Sequence, residues 1–275
     1  MPSVNATPMV LADQPYGFDN DTPDAANQVH ILAGIMDPDS FAALESLDVR
    51  PGWRCLDVGP GAGSVTTWLA NIVGATGHVT ALDIKPQHVT GGDNITIITD
   101  DIRTAPLACD HYDLVHARLV LTHLPTREAV LDRLVAATKP GSWVVISEWD
   151  FTHPDDLTLH LPSPEATQAF IAYQRALTTL IANRGAEAAW ARRVPQVMRA
   201  AGLVDIQALA THRLWYGNEP GCLLHQSNSQ QVEASLLDAG LKLDQLVAMR
   251  EAMANPETLT WQYPLITTMG RRPTR

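Results

Sequence analysis

Three glycines at alternate positions, Gly59, Gly61 and Gly63, follow the run Cys55-Leu56-Asp57-Val58. Glycines so spaced let a backbone turn sharply and approach a ligand with N–H groups exposed near a helix start. Carboxylates recur where the next strands should end: Asp83, 20 residues beyond Gly63, then Asp100 and Asp101. Asp83 can accept both hydroxyls of a ribose, Asp100 or Asp101 an adenine amino group, and Asp57 is placed to reach a cationic amine. A phosphate-free adenosine with a charged tail fits this pattern. A nicotinamide dinucleotide is the competing ligand, but its G-x-G-x-x-G spacing would put Ser64 at the last glycine, and Asp57 and Asp101 would repel a pyrophosphate.

The elements that must hold these groups follow from the alternation of apolar runs and turn residues. Strands are expected at 55–58, 77–84, 95–99, 114–117 and 143–148, with helices at 65–73 and 126–138 between them. Strands alternating with helices imply right-handed crossovers and a parallel sheet. Ala25 to Ile35 is expected to be helical, and Asp37-Pro38-Asp39-Ser40 to start a second short helix over Phe41 to Leu47. A loop is expected at 154–164. A long helical stretch over 163–201, interrupted at Gly185 and Pro195, has no strand partner before a strand at 204–209. Helices at about 220–239 and 242–254 precede a closing strand at 260–270. Four regions result: residues 1–49 as an arm with cap helices, 50–150 as the ligand-binding core, 151–202 as a helical insertion on the substrate side, and 203–275 completing the sheet with further helices. Tyr16 and Phe18 are the aromatic anchors of the arm, and Tyr16 is a candidate for closing over the ligand.

With a formal net charge of −11 the surface repels phosphate backbones, which argues against a nucleic-acid substrate. Three cysteines, Cys55, Cys109 and Cys222, lack metal-ligand spacing and make a poor disulfide framework, so a reducing cytoplasm is the expected setting. No export signal, membrane partner or metal is expected. A homo-oligomer is compatible with an apolar helix beside an arm.

At this point the chain resembles the class I S-adenosylmethionine-dependent methyltransferases. The resemblance rests on Leu56-Asp57-Val58-Gly59-Pro60-Gly61-Ala62-Gly63, Ala81-Leu82-Asp83-Ile84, Asp101 with Pro106, Tyr112-Asp113-Leu114-Val115-His116-Ala117-Arg118, His123-Leu124-Pro125 and Lys139-Pro140-Gly141. It is strong over about 37–148 and nearest to bacterial enzymes of quinone and antibiotic pathways. It implies a Rossmann-like α/β fold: a seven-stranded, mostly parallel sheet with an antiparallel last strand, helices on both faces, an N-terminal helical arm and a helical insertion after the fifth strand. It implies S-adenosyl-L-methionine as cofactor and S-adenosyl-L-homocysteine as product. Gly59, Gly61 and Gly63 should then face the methionine and ribose, Asp83 the ribose hydroxyls, with the adjoining Ile84 also at the cofactor, Asp101 the adenine amino group with Ile102 beside the ring, and His116, Ala117 and Arg118 the methionine end.

Methyl transfer from a sulfonium needs alignment and exclusion of water more than it needs a base. A hydroxyl nucleophile does need proton removal, for which His123 and His116 are the catalytic candidates. Glu148, Trp149 and Asp150, at the end of the fifth strand, are candidate substrate contacts. The expected substrate is a small hydrophobic or aromatic metabolite methylated on O, N or C. The alternative is an enzyme that uses the bound sulfonium to steer a cyclisation or elimination without methyl transfer.

Overall fold

The computed structural model describes residues 23–274. The expected arm, with Tyr16 and Phe18, lies outside the described residues. Helix α1 (Pro23–Glu45) is continuous through Pro38, where two helices were expected. Asp37 and Asp39 start no new helix because their carboxylates are engaged elsewhere. Asp37 accepts from Ser64 at 2.8 Å and Arg118 at 2.9 Å, and Asp39 from Arg213 at 2.8 Å.

The chain then runs β1 (Arg54–Val58), α2 (Ser64–Val73), β2 (His78–Asp83), β3 (Ile95–Thr99), β4 (Tyr112–Arg118), a 3₁₀ turn at Leu121–His123, α3 (Arg127–Ala137) and β5 (Thr138–Trp149). β5 begins five residues before the expected strand. Its early part, with Gly141 at φ +82°, accompanies a shift of register against β4. A second 3₁₀ turn (Pro154–Leu157) and β6 (Thr158–His160) occupy the expected loop. They are followed by α4 (Pro164–Asn183), α5 (Trp190–Ala200), β7 (Val204–Thr211), β8 (Leu214–Tyr216), α6 (Pro220–Gln231), α7 (Glu233–Asp238), α8 (Leu243–Ala254), β9 (Leu259–Trp261) and β10 (Leu265–Arg271). The expected closing strand is thus two strands. Pro264, which has no N–H to give to a ladder, lies in the break.

The seven-stranded sheet has the order β3-β2-β1-β4-β5-β10-β7, parallel except where β10 pairs antiparallel with β5 and β7. This is the mostly parallel, helix-covered α/β sheet that the sequence implies. Alternation sorts the β1 side chains between two faces. Leu56 and Val58 join the core under α3 and α5, while Cys55 joins the core under α2. No helix among the described residues is long and apolar enough to cross a membrane.

The helical stretch after β5 divides between two cores. α5 lays Trp190, Val194 and Met198 into the main core beneath the sheet. Burial of each contributes about 1.5–3 kcal/mol, so the three together outweigh the roughly 3 kcal/mol that Pro195 costs inside a helix. α5 therefore runs through Pro195, where an interruption was expected. α4 instead packs Phe170, Tyr173 and Leu177 against α6, α7 and α8 through Cys222, Leu236 and Met249. That second core, with the small antiparallel sheet β6-β9-β8, forms a cap.

Candidate functional site

The glycine turn connects β1 to α2. Gly59 has φ +65° and donates its N–H to the Leu82 carbonyl at 2.9 Å. A Cβ at this position would lie 2.2 Å from a Val120 methyl, so both the backbone angle and the space demand glycine. Gly61, at φ +56°, is different: nothing stands within 4 Å of where its Cβ would be. Gly63 precedes α2, and no side chain caps that helix. The first-turn N–H groups and the helix dipole thus form a place for a carboxylate.

Asp83 closes β2 beside this turn. Its Oδ1 accepts the Lys85 N–H at 2.8 Å, and burial raises the carboxyl pKa. The adjoining Ile84 is 52 % exposed, an apolar surface next to a carboxylate. Ribose hydroxyls and an aromatic ring suit this pair.

The other expected contacts divide. Asp57 is buried and already satisfied: Oδ2 accepts from Thr66 Oγ1 at 2.6 Å, and Oδ1 lies 2.8 Å from His116 Nδ1. The sequence reading placed it against a cationic amine. The structure makes it the orienting partner of His116, its neighbour in register across β1 and β4. A carboxylate only accepts, so Nδ1 carries the proton toward Asp57 and Nε2 is the other pole of the ring. His116 Nε2 is buried without a partner among the described residues. Ala117 is buried in the main core on the opposite face. Arg118 reaches α1, donating to Asp37 at 2.9 Å and Ser40 at 2.8 Å. Because Ser64 also donates to Asp37, one carboxylate fastens α1 over both the start of α2 and the end of β4.

At the expected adenine end, Asp101 is gripped by its neighbour Arg103, whose Nε donates to Oδ2 at 2.8 Å and Nη2 at 2.6 Å. That bond holds the Asp101 carboxyl below its usual range. Ile102, expected beside a ring, is 5 % exposed and part of the main core.

Glu148, expected at the substrate, lies on the same face as Ile146 and on the opposite one from Ser147, which stands in register with Arg118. It is wholly buried and accepts the Thr122 N–H at 3.2 Å, fixing the 3₁₀ turn after β4. Burial pushes its pKa up to about 8. Asp150 is likewise taken up locally, pairing with Arg192 of α5 and accepting from Thr152 Oγ1 at 2.7 Å. His123 ends that 3₁₀ turn, and burial with the nearby Arg127 charge pulls its pKa down to about 4.

Trp149, expected at the substrate, leads to a cavity most of whose other lining the sequence did not single out. With Ile35 of α1, Leu177 of α4, Trp215 of β8 and Leu224, His225 and Asn228 of α6, it lines a cavity of about 30 Å³ closed by Gln262 and Tyr263. Gln28 donates to Asn228 at 2.5 Å, bridging α1 to α6 beside it. These residues are scattered from 28 to 263, and only their burial as polar groups in a helix or strand context could have hinted at them. A larger groove of about 400 Å³, lined by Arg54, His78 and His111, lies at the amino ends of the parallel strands. Ligands of such sheets bind at the carboxyl ends, where the glycine turn is.

A family model described as a methyltransferase domain matches residues 29–191. An uncharacterized 37.1 kDa protein of transposon TN4556 from Streptomyces fradiae is 29% identical over 61% of this chain and 50% of its own length. The ubiquinone/menaquinone biosynthesis C-methyltransferase UbiE of Shewanella pealeana is 26% identical over 38% of this chain and 46% of its own. An arsenite methyltransferase of Halobacterium salinarum is 28% identical over 52% of this chain and 38% of its own. The chain thus spans half or less of the length of these relatives. Among solved structures, a phosphoethanolamine N-methyltransferase 2 of Haemonchus contortus, complexed with S-adenosylhomocysteine, aligns with a TM-score of 0.58 at 14% identity, covering 92% of this chain and 59% of the other. A cyclopropane-fatty-acyl-phospholipid synthase-like protein of Lactobacillus casei aligns with a TM-score of 0.53 at 20% identity, covering 92% and 93%. At these identities the likeness to solved structures is one of fold. With the glycine turn, the strand-end carboxylate and a family match over more than half of its length, the chain belongs to the methyltransferase domain family, whose cofactor is S-adenosylmethionine.

Proposed function

We propose that the protein transfers a methyl group from S-adenosylmethionine to an O, N or C atom of a small, uncharged, hydrophobic or aromatic metabolite. One observation carries this reading: the open space at Gly61, beside the uncapped start of α2 and the Asp83 carboxylate. In the reading, Gly59, Gly61, Gly63 and the α2 N-terminus hold the methionine and ribose portion. Asp83 accepts the ribose hydroxyls, and Ile84 covers the ring. Asp101 reaches the adenine amino group if Arg103 shares one carboxylate oxygen. Arg118, braced by Asp37 and Ser40, supplies positive charge at the methionine end.

The bound cofactor supplies an electrophilic methyl on a sulfonium. The chain's part is to align the acceptor, exclude water and, for a hydroxyl acceptor, take up a proton. His116 is the residue we assign to that last task, since Asp57 fixes its tautomer and its Nε2 is unengaged. His123 suits it less, because a group with a pKa near 4 is a weak base at neutral pH.

The relatives' names span a quinone-pathway C-methyltransferase and an arsenite methyltransferase. The cavity beside Trp149, lined by aromatic and aliphatic side chains with His225, Asn228 and Gln262 and with neither carboxylate nor Lys or Arg, supports the first class of acceptor. The free thiols Cys55, Cys109 and Cys222 support a reducing, cytoplasmic setting. Incubation with methyl-labelled S-adenosylmethionine and a panel of phenols, naphthols and quinols, followed by mass spectrometry, tests transfer. Label in a product is expected. Cofactor turnover that leaves every product unlabelled would contradict the reading.

A further inference from the structure

We infer that the cavity between α1, α4 and α6 recognises its substrate through a carbonyl or other hydrogen-bond-accepting oxygen, held by the side-chain N–H groups of Trp149 and Gln262. The inference rests on the methyl-transfer reading and gives its substrate a chemical class.

Three buried nitrogens on the cavity wall lack partners among the described residues: Trp149 Nε1, Gln262 Nε2 and His225 Nδ1. An unsatisfied buried donor costs about 1–3 kcal/mol, so a protein keeps one chiefly where a ligand, water or ion satisfies it. Trp149 Nε1 and Gln262 Nε2 are donors and nothing else, whereas His225 Nδ1 donates or accepts according to its tautomer. An indole nitrogen cannot accept, and the Gln262 amide is fixed by its neighbour. Trp215 Nε1 donates to Gln262 Oε1 at 3.1 Å. Since an indole N–H can only face an oxygen, the amide cannot be turned over, and its NH₂ is the unpaired end.

The rest of the lining sets what the oxygen is attached to. Ile35, Leu177 and Leu224 are aliphatic, and Trp149, Trp215 and Tyr263 aromatic. His225 is 7 % exposed, and burial draws its pKa down to about 4, so it adds no charge at neutral pH. A phosphate or carboxylate would meet no cation here, and an ammonium no anion. Neutral ketones, quinones, esters and un-ionised phenols remain. The cavity of about 30 Å³ is of the order that one water needs. A ring system therefore enters by parting α1 from α6, which the Gln28–Asn228 bond and the packing of Ile35 and Met36 with Leu224 hold together beside the cavity.

Three probes sharing one carbon skeleton test this: acetophenone, ethylbenzene and protonated 1-phenylethylamine, titrated by ligand-observed NMR in sealed tubes with saturating S-adenosylhomocysteine. A merely greasy pocket prefers ethylbenzene, which is cheaper to take out of water. The inference requires acetophenone to bind about tenfold more tightly than ethylbenzene. Trp149→Phe keeps most of the aromatic bulk, and Gln262→Glu keeps the oxygen facing Trp215. Each should narrow the ketone preference several-fold, with ethylbenzene affinity unchanged and folding checked by Tm. Equal or tighter binding of ethylbenzene, preference for the amine, binding of none of the three, or a ketone preference untouched in folded variants would each overturn it. The wild-type comparison stands even if a variant fails to fold. S-adenosylhomocysteine titrated into the same preparation separates the two readings. Its binding without a ketone preference sinks this inference alone, whereas its failure to bind sinks the cofactor assignment.

Discussion

The glycine turn and the cap cavity are built in opposite ways. At the turn, the chain uses backbone: Gly59 and Gly61 in left-handed conformations, the uncapped start of α2, and one carboxylate at the next strand's end. At the cavity it uses side chains brought together over long distances, as in Gln28 with Asn228, Tyr263 with Gln174 at 3.2 Å, and Trp215 with Gln262. A backbone site holds an invariant ligand and tolerates little change. A side-chain site can change its ligand by single substitutions while the sheet stays as it is. This is the division a family needs when one cofactor serves many acceptors.

The comparison breaks first at the glycines. Gly59→Val forces side-chain atoms into Val120 at a positive φ and should cost about 3–4 kcal/mol. Thermal melting should then fall by roughly 10 °C. Gly61→Ala meets open space and carries only the backbone strain of about 1–2 kcal/mol, yet it should weaken S-adenosylhomocysteine binding at least tenfold by calorimetry. Undiminished binding of S-adenosylhomocysteine by Gly61→Ala would mean that Gly61 does not face a ligand. In the cap, Gln28→Ala leaves Asn228 Oδ1 without its donor and should cost about 1–2 kcal/mol of stability. Binding of S-adenosylhomocysteine should stay within about twofold, since the bond lies in the other half; a larger loss would show that the halves are coupled.

The remaining effect concerns pH. Glu148 keeps its proton to about pH 8 when folded but gives it up near 4.5 when unfolded. Its contribution to stability is therefore complete below pH 4.5 and is lost as pH rises toward 8. Glu148→Gln should match the wild type in Tm near pH 5 and exceed it at pH 8. His225 acts with the opposite sign: with a folded pKa near 4 against 6.5 unfolded, it loses stability as pH falls through that window.

What was legible in the sequence follows the same division. The parallel core could be read because each strand there is a short apolar run ending at a turn, and because backbone conformations leave glycine as their mark. Ile95–Thr99 begins and ends where the pattern places it. The failures come where a distant partner overrides a local signal. Asp37-Pro38-Asp39 has the composition of a helix start, but Arg118, Ser64 and Arg213 claim its carboxylates, and α1 continues. Pro195 looks like a break, but three buried residues on one face of α5 hold it together. Among the site residues, Gly59, Gly61 and Asp83 needed only the chain near them. The pairing of Asp57 with His116 depends on strand register. The Glu148 carboxylate faces the 3₁₀ turn because of the parity of its position in β5. Gln262, alone in a strand-like stretch, carries no local mark of the cavity that it helps to line.

The central claim is that the glycine turn and Asp83 together hold the adenosine and methionine portions of one cofactor. Calorimetric titration of S-adenosylhomocysteine into the wild type and Asp83→Ala tests it most directly, with NADH titrated in parallel. Saturable binding to the wild type in the micromolar range is expected, with a loss of about tenfold to hundredfold in Asp83→Ala, as charge-assisted hydrogen bonds of about 1.5–3 kcal/mol imply, and an unchanged Tm. Undiminished binding by a folded Asp83→Ala protein, or binding of NADH in place of S-adenosylhomocysteine, would contradict it.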